Sequence, residues 1–531
     1  MRLNERVREN RDLILLVAIV CAGAAARFLT LGVQSFDSGE TVTVSRILHP
    51  SYTATLTAVA TIERSGPLYY SLAWVWAHLF GTAETAIRSL SALFVTATIV
   101  VAYLAAREVF SKRAALIAAA LVAVSPDLFW YSQEARSYAL FILLTTASLY
   151  FFVRSLRRPG IGSYAGWAVA SSLALATHYF SAFSIAPEAL WLVLASRRRP
   201  ARPLVAAGAV GVSGLALLPL AIQQEGAGRA NGFTSIPLVQ RAASGFVKFV
   251  VGEGESTSGK WAATPPLARG AGLLALAGFA VAIAGVLARG DDEERRGAYA
   301  VGGVAAASFA IPVAAAYVGL DFIEPRNLLG SLVPLLVVVA AGADVWLRQL
   351  VRPAAWLRVA APLAAAVPFA AFIVVTATTP ALQRDNWRGL SEAVADSGRA
   401  GLVLTDPPAA GKPLNYYLHR VLPRLGRTKY PCGIRTKRIV TITRNKPEAA
   451  KGPYRLSSER TMPQHWTVAA YVAPRAEWID TRRLDWLDLV HGTSAEARVD
   501  NARPARTVPS QGRFTIEGCP GVRSVARTHI A

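Results

Sequence analysis

A mainly helical membrane protein with a small α/β domain at its C-terminal end is the fold that this 531-residue sequence predicts. Three observations predict it. More than half of the residues are hydrophobic and the mean hydropathy is +0.35, too apolar for an ordinary soluble chain of this length. About eleven apolar runs are long enough to span a bilayer, which takes ~20 residues of helix. After residue 380 the composition turns polar and Pro-rich, with short apolar stretches of strand length.

The runs fall at 13–31, 85–109, 114–131, 137–153, 163–178, 179–196, 203–222, 266–288, 298–318, 327–347 and 356–377. The first follows Arg2, Arg6, Arg8 and Arg11. It is long and lacks a clear cleavage site, so it reads as a retained signal anchor with a cytoplasmic N-terminus. The stretch 67–80, "PLYYSLAWVWAHLF", is too short to span and reads as an interfacial helix inside a first outer loop covering 32–84. The basic clusters settle that choice. With 67–80 on the surface, "SKR" at 111–113, "RSLRRP" at 154–159, "RRRPARP" at 197–203, "RGDDEERR" at 289–296 and "RQLVR" at 348–352 all lie on the cytoplasmic side. If 67–80 spanned, all would move outside.

The same topology explains the net charge of +22, which in a soluble protein would point to nucleic acid. No nucleic-acid partner is implied here; the bilayer is. The domains read as 1–379 in the membrane and 380–531 outside it. In the outer domain "AGLVLTDPP" at 400–408, "RIVTITR" at 438–444 and "WTVAAYVAP" at 466–474 read as buried strands. That tail carries 25 Lys and Arg against 13 Asp and Glu, a surface suited to anionic lipid, cell-wall polymer or phosphorylated substrate. Cys432 and Cys519 lie in it and could pair in an oxidising compartment or stay as thiols; Cys21 lies in the first run. No Walker loop, zinc spacing, Rossmann glycine signature or short repeat is visible.

The polar groups that need explaining gather on the predicted outer face. In "FDSGETVTVS", Asp37 and Glu40 have the spacing of a helix-capping box, and a cap fixed at the membrane surface is also a preorganised carboxylate. In "IERSGPLYY", Glu63 and Arg64 precede the aromatic helix; the Arg could pair with Glu, snorkel, or bind a lipid phosphate. In "YSQEARSYAL", Glu134, Arg136 and Tyr138 stand between two runs, while His178 in "THYF" and Arg326 in "EPRNLLG" are a span junction and an interface anchor unless they converge with the others. Carboxylates beside cations at that depth suit a reaction on a lipid-phosphate substrate whose tail stays in the bilayer.

The order of these motifs resembles a family. An Asp in the first outer loop, a Pro-Leu-Tyr-Tyr helix ending in Phe-Gly, "ETAIRSLSALF" with Arg88, then "YSQEARSYAL" is similar to GT-C membrane glycosyltransferases of the protein O-mannosyltransferase and aminoarabinose transferase type. The similarity is strongest over 27–150 and includes "RDNWRGLSEAV" at 384–394. The sequence departs from the family at Ser38, where many relatives have a second acidic residue, and at Ser65-Gly66-Pro67, where many have His-Pro-Pro or Lys-Pro-Pro. The resemblance implies inverting transfer of a sugar, with mannose the first expectation, from a polyprenyl-phosphate donor to an acceptor hydroxyl of a glycan, lipid or protein. It makes Asp37 the catalytic base, Glu134 its assistant and Arg64 the holder of the donor phosphate, with Glu63, Glu40, Arg136, Tyr138, His178 and Arg326 as further substrate-binding candidates. No cofactor is required; a divalent metal on Asp37, Glu63 and Glu134 stays open. The composition suggests a bacterial plasma membrane. A transporter or a non-catalytic envelope protein that binds lipid would have a similar outline, but the ionisable groups collect at one face rather than at the midplane and no halves repeat.

Overall fold

The computed structural model describes residues 2–196, 200–225, 237–251, 266–321 and 323–350, Val374 and Thr378, and, further on, 383–398, 401–406, 410–419, 422, 433–444, 452–462, 466–480 and 496–499. These fall into two compact units. The first comprises residues up to Gln34 and from Val42 to Arg384; the second comprises Ser35–Thr41 and the chain from Asp385 onward. The seven residues around Asp37, expected within the membrane domain, are thus part of the second unit.

The first unit is helical throughout. Helix α1 is Arg2–Phe28; the short α2, Ser38–Val42, belongs to the second unit as far as Thr41, and a π-helical turn follows at Thr43–Ile47. Helices α3 (Tyr52–Ile62) and α4 (Leu68–Phe80) follow, within the stretch 32–84. At 13 residues α4 is too short to span, as its sequence predicts, and Gly81 ends it at φ 82°, the left-handed conformation that glycine adopts without strain. The bundle follows with α5 (Glu84–Val109), α6 (Lys112–Val124), α7 (Pro126–Ser132), α8 (Tyr138–Arg157), α9 (Ile161–Thr177), α10 (Ala182–Ala195), α11 (Ala201–Glu225), α12 (Leu238–Val251), α13 (Pro266–Arg289), α14 (Asp292–Tyr317) and α15 (Leu332–Leu350).

Every apolar run expected within the described residues is helical; the one at 356–377 lies outside them apart from Val374. Five described helices are long and apolar enough to cross a membrane unaided, and α6 with α7 makes a sixth, bent by 54°. The chain is a multi-pass membrane protein. The expected straight span at 114–131 is instead broken, and Pro126 gives the reason: it has no amide proton for the Val122 carbonyl. Arg27, fully buried on α1, supplies the missing donors, with Nη1 2.9 Å from Ala123 O and Nη2 3.3 Å from Val122 O.

The basic clusters meet at one end of the bundle. Arg154 and Arg158 pair with Glu108, Arg157 with Glu293, Arg348 with Glu294, and Arg113 and Arg348 with Asp344. In mid-bundle the Glu188 carboxylate accepts from Trp167 Nε1 at 2.8 Å and from Ser148, tying α8, α9 and α10 together.

The second unit holds a five-stranded sheet of β1 (Leu402–Thr405), β2 (Gly433–Thr443), β3 (Arg455–Thr461), β4 (Thr467–Asp480) and β5 (Glu496–Val499), ordered β3-β4-β2-β1-β5. β1 and β2 run parallel, Leu402 opposite Ile439, and the other pairs are antiparallel. Alternate residues feed two cores: Val403, Val440 and Val468 pack with Trp387, Leu390 and Trp466, whereas Leu402, Leu404 and Ile439 pack with Tyr454 and Tyr471. Strand β3 escapes a hydropathy reading because "RLSSERT" is exposed along its whole length. Cys432 and Cys519 lie outside the described residues; Cys21 is an exposed thiol.

Candidate active site

In the second unit Asp37 and Glu40 form the capping box that their spacing predicts. The Glu40 amide donates to Asp37 Oδ1 at 2.6 Å, and the Asp37 amide donates to Glu40 Oε2 at 3.0 Å. Glu40 is fully buried, so its carboxylate is a cap partner before anything else. The flanking residues lock the segment: Phe36 N donates to Tyr417 Oη at 2.6 Å, and Ser35 Oγ bridges Asp385 O at 2.9 Å and the Trp387 amide at 3.0 Å. Asp385 accepts from Trp466 Nε1 at 2.7 Å and pairs with Arg444. In the first unit, Arg88 fixes the chain just before this segment, donating to Leu31 O at 3.0 Å and Gln34 O at 2.6 Å.

The first unit brings the other expected residues into pairs. Glu63, the C-cap of α3, receives both Nη atoms of Arg136 at 3.1 and 3.0 Å, a two-pronged guanidinium–carboxylate pair with Glu63 only 5% exposed. Burial alone would make the Arg136 guanidinium easier to deprotonate; the Glu63 carboxylate, together with Tyr70, Tyr138 and Glu134, outweighs it and holds the charge well above its ordinary range. Arg136 is therefore committed to Glu63 rather than standing open to a phosphate. Arg64 sits next to Glu63, partly buried. The loop that carries both is pressed onto α9: a Cβ on Gly66 would stand 2.0 Å from the Ala176 carbonyl oxygen. Any other residue would bring a Cβ into that carbonyl, which accounts for Gly at this position.

Glu134 pairs with Arg384 at 3.5 Å, a residue absent from the sequence-based candidates. Arg384 is buried, donates to the carbonyls of Gln133 and, at 3.3 Å, Trp130, and lies over the Trp130 ring at 4.5 Å. It thereby caps the C-terminal end of α7 and holds the turn on which Glu134 sits. Gln224, near the end of α11, was missed as well. Its Nε2 donates to Val59 O and Ser65 O, both at 3.1 Å, and its Oε1 accepts from Tyr179 at 3.0 Å, so one buried amide fastens the Glu63–Arg64 loop.

Tyr138 opens α8, its ring edge-on to Tyr131 at 5.2 Å and 5.6 Å from the His178 ring. His178 is buried and stacked on Phe141 at 5.1 Å. Burial first, then the positive charges of Arg326 and Arg136, push its imidazole down to about 3. His178 is thus an uncharged ring and not a cation for phosphate. Arg326 pairs with Glu324, yet its side chain is about half exposed. Among the described residues, no three His, Cys, Asp or Glu side chains stand close enough to hold a metal ion.

A polytopic helical unit and a small sheet domain, with opposed charges paired where apolar helices end, make a fold similar to that of solved GT-C membrane glycosyltransferases. Residues 64–222 match the dolichyl-phosphate-mannose-protein mannosyltransferase family. Among solved structures the chain is similar to ArnT from Cupriavidus metallidurans in the apo state, at 14% identity and a TM-score of 0.53 over 86% of this chain and 97% of that one. It is also similar to ArnT from the same organism bound to undecaprenyl phosphate, at 13% identity and a TM-score of 0.51 over the same shares. The archaeal oligosaccharyltransferase AglB from Archaeoglobus fulgidus, in complex with an inhibitory peptide and a dolichol-phosphate, aligns at 15% identity and a TM-score of 0.46 over 80% of this chain, which spans 61% of that protein's length. No curated protein sequence matches the chain.

Proposed function

We propose that this protein transfers a sugar, mannose or a related hexose or pentose, from a polyprenyl-phosphate donor to an acceptor hydroxyl on the outer face of a bacterial plasma membrane, with its N-terminus in the cytoplasm. The observation that carries the reading is the family match over 64–222, which begins at Arg64 and covers the segments holding Glu134, Arg136 and His178. The fold shared with a protein whose structure contains undecaprenyl phosphate supports the same donor class. The acceptor is a glycan, lipid or protein hydroxyl.

In this reading Asp37 takes the proton from the acceptor hydroxyl as its oxygen attacks the anomeric carbon. The bond from that carbon to the phosphate oxygen breaks with inversion, and polyprenyl phosphate departs with the electron pair. Arg64 neutralises it, assisted by Arg326. Glu134, oriented by Arg384, assists in binding the reacting groups, and Glu40 aligns the turn of Asp37. Lipid phosphate is a stable leaving group, so no general acid is needed.

The test is Asp37→Asn. Asparagine caps a helix as well as aspartate does, so the variant keeps its fold while losing the base. Transfer from radiolabelled polyprenyl-phosphate sugar in membranes should vanish with the thermal midpoint unchanged. Near-normal turnover would overturn the role of Asp37.

A further inference from the structure

Three carboxylates at this end of the first unit have partners: Glu63 has Arg136, Glu134 has Arg384 and Glu324 has Arg326. Beside them stand neutral groups that are left unsatisfied. Ser65 Oγ, Tyr70 Oη, His178 Nδ1 and Ser181 Oγ are buried, with their residues no more than 4% exposed, and have no hydrogen-bond partner. Buried polar atoms in native proteins are almost always satisfied, so four such atoms on neighbouring elements point to something that completes them.

They are neighbours by construction. Gly66 presses the Ser65 loop onto Ala176, two residues before His178, and Gln224 holds Ser65 O. The Ser181 amide bonds His178 O at 3.0 Å. Tyr70, in the first turn of α4, lies within the fields of Arg136, Glu63 and Tyr138, and Tyr138 packs on His178. The rings of Phe141, Tyr138 and Phe180 surround the imidazole at 5.1, 5.6 and 5.2 Å.

Ring faces beside neutral groups that can both donate and accept are the chemistry that recognises a carbohydrate, whose ring has apolar faces and hydroxyl edges. We infer that Ser65, Tyr70, His178 and Ser181 form the subsite for the hydroxyls of the transferred sugar, and that it selects an uncharged sugar over an ammonium-bearing one. An ammonium group would stand beside Arg136 and Arg326 with Glu63 and Glu324 already engaged. The inference rests on the transferase reading above and adds which part of the donor these residues read.

The experiment uses the full chain in liposomes with polyprenyl-phosphate-linked mannose, glucose, galactose and 4-aminoarabinose as donors, and sugar-free polyprenyl phosphate as competitor. In Tyr70→Phe with Ser181→Ala the KM for the preferred hexose donor should rise by about 10-fold or more, the loss of one to two hydrogen bonds. Inhibition by sugar-free polyprenyl phosphate should not change, and the thermal midpoint should hold or rise, since both substitutions delete unpaired polar atoms. An unchanged KM with a lowered midpoint would mean that the hydroxyls hold structural water, and the inference falls. Equal weakening by the competitor would place these residues on the phosphate, and use of the aminoarabinose donor as readily as the hexoses would sink the selectivity. Wild type that transfers from none of these donors and gains no thermal protection from them would instead refute the transferase reading itself.

Discussion

Replacing Gly66 by alanine tests whether the Glu63–Arg64 loop is held by contact or merely happens to lie there. The added Cβ would meet Ala176 O at 2.0 Å, its carbonyl carbon at 2.4 Å and its Cα at 3.1 Å, all backbone atoms of a packed helix that cannot swing aside. Ordinary contact begins near 3.4 Å, so the loop must retreat by about 1.4 Å. Overpacking of this kind costs ~1–3 kcal/mol. The retreat also breaks a specific bond, because Gln224 reaches Ser65 O at 3.1 Å and cannot follow while bonded to Val59 O. A displacement of ~1 Å in a positioning loop can cost on the order of 100-fold in turnover. The control is Gly208→Ala on α11, where nothing lies within 4 Å of the new Cβ; in a helix that change should be neutral or stabilise by up to ~1 kcal/mol. Thermal unfolding in detergent and donor-dependent transfer are measured on both variants. A Gly66→Ala protein matching wild type in both would refute the claim that this contact sets the loop.

Glu63→Gln should destabilise by ~3–5 kcal/mol, because it removes the two-pronged carboxylate partner of the largely buried Arg136 charge; adding Arg136→Met should recover much of that loss in the same unfolding assay. His178 gives a pH dependence with a definite sign. Its folded pKa lies near 3, below the ordinary 6.5, so the unfolded chain binds a proton that the folded one refuses. Stability from this group is complete above pH ~6.5 and falls by roughly 1.4 kcal/mol per pH unit between there and pH 3, and His178→Phe should flatten that part of the curve in denaturant titrations. Arg27→Leu should leave the Val122 and Ala123 carbonyls without the donors they have and cost at least ~2 kcal/mol, read as a lowered thermal midpoint.

Much of the helical outline was legible because hydropathy is a local property: the apolar runs, the short α4 and the shared end of the basic clusters all follow from composition within windows of about 20 residues. The broken span was half legible. Pro126 stands in the sequence for anyone to read, but the partner that makes the break tolerable, Arg27, is nearly a hundred residues away on another helix. Five spanning helices, or six with the bent pair, satisfy length and hydropathy among the described residues where eleven were expected, since several apolar helices here are shorter than a straight crossing requires. Strand β3 was illegible because an exposed strand has no hydrophobic alternation to show.

The candidate site divides in the same way. The capping box of Asp37 and Glu40 is a pattern three residues long and could be read directly. "RDNW" could be recognised as a motif but not explained. Arg384 holds Glu134 and the end of α7, Asp385 receives the Trp466 indole, Asn386 caps the next helix through the Gly389 amide at 3.0 Å, and Trp387 fills the sheet core. Four consecutive residues therefore have four unrelated partners, most of them 50 to 250 positions away. Gln224 was illegible for the same reason: a glutamine at the end of an apolar helix looks like a solvated terminus until its amide is found between Val59, Ser65 and Tyr179. These partners change how the charges read. Glu63, Glu134 and Arg136 drew attention as groups that could act on a ligand, yet they engage one another and Arg384, and the neutral buried atoms left without hydrogen bonds are hydroxyls and an uncharged imidazole. Charge at this site builds the frame, and discrimination among substrates falls to the neutral atoms that the frame holds out of water.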